Sequence, residues 1–144
     1  MKLSSAHLLR LATTRPLLLV GLVALSAAAR AEIVRDGTLG SGLLTVGPGI
    51  DPLGQAATYL IKPEFGETRG SNLFHSFGVF DIGAGETATF TGPDTLRNVI
   101  SRVTGGQPSN IDGTLRSTIP GANVWLLNPS GIVFGAGAVL DVPG

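Results

Sequence analysis

Few side chains in this sequence could carry chemistry. Beyond residue 31 the one histidine is His75, set between Phe74 and Phe77. General acid–base or nucleophilic work needs a second group within hydrogen-bond reach. No such partner stands at a fixed spacing, so His75 reads as a core residue. The chain has no cysteine, which excludes a thiolate nucleophile and a thiolate metal site. Asp36, Asp81, Asp94, Asp112 and Asp141 could be read as an acid cluster of the kind that binds calcium and cleaves acidic sugars. Asp36 and Asp112, however, each precede glycine, the mark of a tight turn, and the acids are not spaced as in a calcium loop. A lyase-type site would need Arg102 or Arg116 beside two acids on one sheet. Gly83-Ala84-Gly85-Glu86 lacks the Lys and Ser/Thr of a phosphate loop. Trp125, Phe134, Phe74, Phe77 and Phe80 could stack on sugar rings, but their aliphatic neighbours favour a buried core. No cofactor or metal is expected.

A second group of residues suits recognition or turn formation. In Asn128-Pro129-Ser130-Gly131, Asn128 can accept a bond from the backbone two residues on. Pro129 fixes φ near −65°, and Gly131 permits a positive φ. A corner of the fold and a motif read by a partner are equally good accounts. Asn98 and Asn123 precede strand-like runs. Each alone suits a turn, and across stacked coils the two could form a side-chain ladder.

The elements that must position these residues are short. Runs of apolar and β-branched residues recur between Gly, Pro, Asn and Asp: Leu43–Val46, Thr58–Ile61, Leu73–Ile82, Thr87–Phe90, Val99–Val103, Ile111–Leu115, Val124–Leu127, Ile132–Phe134 and Val139–Val142. No helical period survives without an internal Gly or Pro. Charged residues are 14% of the chain, well under the usual quarter, which suits a β-rich fold with tight turns. Strict alternation places Leu73, His75, Phe77, Val79 and Asp81 on one face of the long strand and Phe74, Ser76, Gly78, Phe80 and Ile82 on the other. Neither face is polar, so both are expected to be covered. Short strands must pair to satisfy their backbone. An antiparallel sandwich and a β-solenoid both do so, and the spacing from about residue 98 onward favours the solenoid.

The first segment has the order basic, apolar, small. Lys2, Arg10 and Arg15 precede Leu17–Leu25, and Ser26–Ala31 follows. This is the pattern of a cleavable signal peptide, 1–31, with an apolar run too short to span a bilayer. Ala29 and Ala31 fit the cleavage pocket, placing the cut before Glu32; a cut after Ala29 is the alternative. Four of the ten basic residues lie in this segment, leaving six against ten acids and a net of −4 for the remainder. That balance argues against nucleic-acid binding and against electrostatic attachment to anionic lipid.

Five blocks in order then carry a family resemblance. Ile33-Val34-Arg35-Asp36-Gly37-Thr38-Leu39-Gly40 resembles the mature start of the filamentous-haemagglutinin-type two-partner secretion domain. Gly70 through Phe77, including Asn72, Phe74, His75 and Phe77, is similar to its most recognisable block. Asn98 through Gly105-Gly106, Ile111-Asp112-Gly113-Thr114-Leu115, and Asn123 through Gly135 are similar to the next three. Ser130 departs from the family's Asn-Pro-Asn-Gly turn, and Asn98-Val99-Ile100 stands where some members carry Asn-Pro-Asn-Leu.

The resemblance implies an all-β, right-handed parallel β-helix with an N-terminal cap over 32–144, shortened at its C-terminal end relative to family domains. It implies the secretion module of a large Gram-negative adhesin. Such a module is exported across the inner membrane and recognised by an outer-membrane TpsB-type transporter through periplasmic POTRA domains. It folds at the cell surface, where it nucleates the rest of the helix. Asn98, Asn123, Asn128, Pro129, Ser130 and Gly131 are the candidates for partner recognition, and host or surface glycans are candidate partners of a downstream passenger. The competing expectations are a module that binds glycans or host cells directly and a β-helix polysaccharide-active enzyme.

Overall fold

A computed structural model describes residues 31–143; the signal-peptide reading falls on residues outside these, except for Ala31. Among the described residues every regular element is a β-strand apart from a single 3₁₀ turn at Pro63–Phe65. In chain order the strands are β1 (Ile33–Arg35), β2 (Gly49–Ile50), β3 (Ala56–Ala57), β4 (Tyr59–Ile61), β5 (Glu67–Arg69), β6 (Asn72–Phe80), β7 (Thr87–Phe90), β8 (Asn98–Val103), β9 (Ser109–Ile111), β10 (Thr114–Ser117), β11 (Asn123–Leu127), β12 (Ile132–Phe134) and β13 (Val139–Asp141).

From β6 onward the chain winds as a parallel β-solenoid of about three coils. One sheet stacks β6, β8 and β11; a second stacks β4, β7, β10 and β13; a third stacks β9 on β12, with Ile82 bridging to Ile111 below them. The register defines the coil length. Asn72 lies opposite Asn98 and Asn98 opposite Asn123, steps of 26 and 25 residues. Each coil turns its strands through three directions, so the strands of the coils after β6 are only three to six residues long before a corner bends the chain. Gly, Asp and Asn supply those corners.

One end of the stack is closed by antiparallel pieces. β1 pairs with the second half of β6 and β5 with the first half, so the free edge of the first coil is covered. The hairpin β2–β3 lies against the β4–β7 sheet, where Gly49 meets the Leu60 side chain.

The core runs down the axis of the coils. Leu73, Phe77, Phe80, Ile82, Phe90, Val99, Ile111 and Ile119 are fully or almost fully buried. Phe77 packs edge-on to Phe80 at 5.0 Å and Phe80 stacks on Phe90 at 6.2 Å. Burying each such side chain contributes roughly 1.5–3 kcal/mol.

Several expectations change against this fold. The long strand does not alternate strictly: Leu73, His75 and Phe77 point inward, and then Phe80 and Ile82 do. Arg35 pairs with Phe77 while Val34 pairs with Val79, so Gly78 is the extra residue of a bulge that switches the face. Asp112-Gly113 is the tight turn its sequence marks, and it divides Ile111–Leu115 between β9 and β10. Leu43–Val46 forms only a bridge from Thr45 to Val34. Trp125 and Phe134 do not join the core. They are 52% and 55% exposed, and Trp125 lies on the outer face in register with Ile100 and Phe74, between the inward Val124 and Leu126.

Candidate functional site

The candidates for recognition fall on the outer face of the first sheet, at Asn98 and Asn123, and at the corner from Asn128 to Gly131. The Asn side chains form a ladder across the coils. Asn98 Nδ2 donates to Asn72 Oδ1 at 2.8 Å, and Asn123 Nδ2 donates to Asn98 Oδ1 at 3.3 Å. An amide side chain offers both donor and acceptor, so identical residues at one register position can link coil to coil.

The Asn128 corner is closed twice. The Ser130 amide donates to Asn128 Oδ1 at 2.9 Å and the Gly131 amide to the Asn128 carbonyl at 3.0 Å, with Gly131 at φ +106°. Asn128 Nδ2 reaches the preceding coil, donating to the Gln107 carbonyl at 2.9 Å and to Ser109 Oγ at 3.0 Å. Pro129 and Ser130 remain at the surface. With Arg102, Thr104, Gly106 and Leu127 they line a groove of about 290 Å³.

Below this groove lies a polar cluster that joins cap to coils. Asp36 Oδ1 accepts from the Thr38 amide (2.9 Å) and hydroxyl (2.7 Å); its Oδ2 accepts from Ser76 Oγ (2.5 Å) and Thr104 Oγ1 (2.9 Å). Arg102 donates to Ser76 Oγ at 2.7 Å and to Thr38 Oγ1 at 3.1 Å. Partial burial pushes the Asp36 carboxyl up, but the Ser76, Thr38 and Thr104 donors outweigh it and hold the group well below the usual carboxylate range. The sequence marked Asp36 as a turn residue. It is one, and it also ties β1 to β6 and β8 across the fold, a contact with no local signal.

The remaining block residues lie in the core and at close backbone approaches. Gly105 packs against the bulge: a Cβ there would meet the Gly78 carbonyl oxygen at 2.0 Å. Gly113 approaches the backbone carbonyls of Gly83 and Glu86, and Asp112 Oδ1 accepts the Gly137 amide of the next coil at 2.7 Å. Phe74 is half-buried and Phe77 fully buried. His75 is inside the core, stacked on Phe77 at 5.8 Å and beside Phe90 at 5.5 Å. Its Nε2 meets the Lys62 carbonyl at 3.2 Å. Burial pushes its pKa down to about 4, helped by the charge of Arg35 and opposed by the Lys62 bond.

Arg35 has no sequence signal. It is 2% exposed, and its guanidinium donates to the Leu39, Ser41 and Leu43 carbonyls while lying 5.2 Å over the Phe65 ring. It shapes the loop that follows β1.

Arg116 does stand beside two acids. Its Nε donates to Asp141 at 2.8 Å, and its Nη1 lies 4.0 Å from Asp51. The Asp51 side chain is completely buried, and its Oδ1 accepts from the Leu53 and Gln55 amides. An acidic sugar could not reach it without displacing the β2–β3 hairpin. Arg116 therefore bridges the cap hairpin, the second coil and the third. Among the described residues, no three His, Asp or Glu side chains converge as a metal site would need.

Comparison with known proteins adds an independent line. A family model described as "TPS secretion domain" matches residues 54–144, well over half the chain. The chain is 38% identical over 65 residues to the heme/hemopexin-binding protein of Haemophilus influenzae. That stretch is 45% of this chain and 7% of the relative, so the chain spans only a small part of that protein's length. No solved structure matches.

Proposed function

The chain belongs to the TPS secretion-domain family, the secretion module of two-partner exoproteins exported through an outer-membrane TpsB transporter, and from that premise we propose how its parts divide the work. Residues 1–31 direct export across the inner membrane and are removed. Residues 32–144 are then recognised by the transporter's periplasmic POTRA domains while still unfolded. Outside the cell they wind into the coils, displayed at the surface, and start the winding of whatever polypeptide follows. The module acts by being recognised and by folding, not by catalysis.

The observation that carries this proposal is a difference between two neighbouring motifs. The Asn128 turn is local: its Asx bond spans two residues and its backbone bond three. Such a turn can form in an unfolded chain. The Asn72–Asn98–Asn123 ladder needs partners 26 and 25 residues away, so it exists only once coils have stacked. The turn is therefore suited to being read before folding, with Pro129 and Ser130 presented outward. The ladder is suited to guiding coil on coil afterwards.

The test is binding of the exported chain, held unfolded in mild urea, to the transporter's periplasmic domains. Replacing Asn128 and Pro129 by Ala should weaken binding about tenfold, some 1.4 kcal/mol. Asn98→Ala should leave binding intact and slow the appearance of β structure when urea is removed. Equal binding by wild type and the turn variant overturns the assignment of the turn.

A second proposal, direct binding of a glycan, has one observation in its favour. Trp125 is outward and half exposed beside the Asn ladder, and an exposed ring with flanking amides is the ordinary equipment for stacking on a sugar. Trp125→Ala would abolish retention of the folded chain on a glycan array if this proposal holds.

A further inference from the structure

From residue 32 on the chain has six basic residues, the ten of the whole sequence less the four before it. Arg35 is buried in the cap. Lys62 faces Glu64 at 3.9 Å, Arg69 faces Glu67 at 2.7 Å and Arg116 faces Asp141 at 2.8 Å. Arg97 and Arg102 are exposed, and among the described residues neither has a carboxylate partner. Residues 1–30 contain no acid that could supply one.

Arg102 is held in place without being satisfied. A guanidinium carries five N–H groups. Nε donates to Ser76 Oγ at 2.7 Å and Nη2 to Thr38 Oγ1 at 3.1 Å. Both hydroxyls donate in turn to the Asp36 carboxylate. Asp36 thus orients the two hydroxyls, and they orient the guanidinium along one edge. The other edge keeps two hydrogens on Nη1 and one on Nη2, the fork that takes both oxygens of a carboxylate.

The surroundings of that cation select the ligand. Leu127 is the register partner of Arg102 in the next coil and is 51% exposed. Val103, Leu127 and Pro129 give the groove of about 290 Å³ its aliphatic walls, and the Thr104 hydroxyl is already committed to Asp36 and the Phe77 carbonyl. A sugar would set hydroxyls against those walls without partners, a cost for each one. A small inorganic anion would leave the walls in water. An acidic side chain followed by an apolar one meets both parts. The volume is near the lower limit of small-molecule pockets, roughly 300 Å³, which is room for a side chain. Trp125, two residues before Leu127, also faces outward. Trp and Arg are both enriched among the residues that anchor protein interfaces.

We propose that this groove docks an extended acidic segment of a partner polypeptide. One carboxylate sits on Arg102. The apolar side chain two residues along, on the same face of an extended segment, lies between Val103, Leu127 and Pro129. The site belongs to the folded state: Arg102 comes from the second coil, Leu127 and Pro129 from the third, and they meet only when the coils stack. It is therefore separate from the reading of the Asn128 turn in the unfolded chain, and either can fail without the other. The net charge of −4 beyond residue 31 repels an acidic segment over most of the surface, which sharpens its placement on an unpaired cation.

Trp125 is the one tryptophan of the sequence, so its fluorescence reports on this face. The probes are short capped peptides with glutamate and leucine two positions apart, and the same peptides with glutamine in place of glutamate. Titrated into the exported, folded chain, the acidic peptide should bind at least about tenfold more tightly than its glutamine twin, and less tightly as salt is raised. Arg102→Gln should remove the preference. Arg97→Gln removes the same charge outside the groove and should leave the preference within about twofold. Leu127→Asp changes an exposed side chain and puts a carboxylate into the groove; it should abolish binding and decides the matter if Arg102→Gln does not fold. No response up to about 1 mM peptide, equal binding of the two peptides, a preference that survives both groove variants, or equal binding by the chain in urea overturns the proposal. So does binding of an oligouronate in place of the peptide, lost in Arg102→Gln, which would make the ligand a glycan. Self-association of the chain that Leu127→Asp abolishes would make it a second copy, and would overturn the partner polypeptide as well.

Discussion

His75 shows how a titratable residue can be fixed by packing. Its ring lies between Phe77 and Phe90 with Nε2 on the Lys62 carbonyl. Nδ1 is buried without a hydrogen-bond partner. Burial lowers the pKa to about 4 in the fold, while an unfolded chain protonates near 6.5. Between those values the unfolded state binds the extra proton, so stability is complete above about pH 6.5 and falls as pH drops toward 4. The full loss is about 3 kcal/mol. Urea midpoints measured at pH 7.5 and 4.5 should therefore differ in the wild type, and His75→Phe should remove much of the difference. An unchanged pH dependence in the variant would place the acid sensitivity elsewhere. The sequence indicated that His75 was a core residue rather than a catalyst, because it stood in a Phe-rich run with no partner at fixed spacing. It could not reveal the carbonyl that holds the ring, which comes from the chain before the 3₁₀ turn.

At the level of elements, glycines at neighbouring positions have different jobs. Gly105 has an ordinary φ but no room, since a Cβ would overlap the Gly78 carbonyl at the bulge. Gly106 has φ +79° and open space around it. Gly106→Ala should cost about 1 kcal/mol of backbone strain. Gly105→Ala must instead push β8 away from β6 and should lower the thermal midpoint much further; comparable midpoints for the two variants would refute this account of the bulge. The Asn ladder makes the other prediction at this scale. Asn98 is the middle rung and serves both neighbours, so Asn98→Ala should cost about 2 kcal/mol, at about 1 kcal/mol per hydrogen bond. Asn123→Ala, at the end of the ladder, should cost about half as much in the same denaturation series.

Most of the strands were legible in the sequence, because short apolar runs between turn residues are a local signal. Thr87–Phe90 and Ile132–Phe134 fall where the pattern put them. The bulge was not legible, since only the register of β1 on β6, which skips Gly78, sets it apart from the other glycines. The coil repeat was also hidden. Asn72-Leu73-Phe74, Asn98-Val99-Ile100 and Asn123-Val124-Trp125 share only their first residue type and an apolar pattern, and the register makes them equivalent. Trp125 misled for a related reason: aliphatic neighbours mark a strand, but alternation decides which of them turn inward.

Across the whole molecule, a solenoid distributes its stability from coil to coil, each one held mainly by its neighbours. The first two coils of this chain are covered on both sides. The residues of β6 are all buried or half-buried and those of β8 are too except for Arg102, and the antiparallel cap closes the outer edge of β6. The third coil is bound on one side among the described residues, and β11, β12 and β13 are largely exposed. Local opening should therefore grade along the axis rather than occur all at once. Amide exchange should be slowest in β6 and β8, and fastest in β12 and β13. Arg116 modifies that gradient, because its bonds to Asp141 and toward Asp51 span from the third coil to the cap hairpin. Removing it in Arg116→Met leaves the buried Asp51 carboxylate without its nearest cation, a loss of about 3 kcal/mol or more. The variant should speed exchange in two separated places, the 49–57 hairpin and β13, while β6 and β8 keep their protection. Uniform acceleration across all coils would mean that the solenoid opens as a single unit and that Arg116 contributes only to global stability.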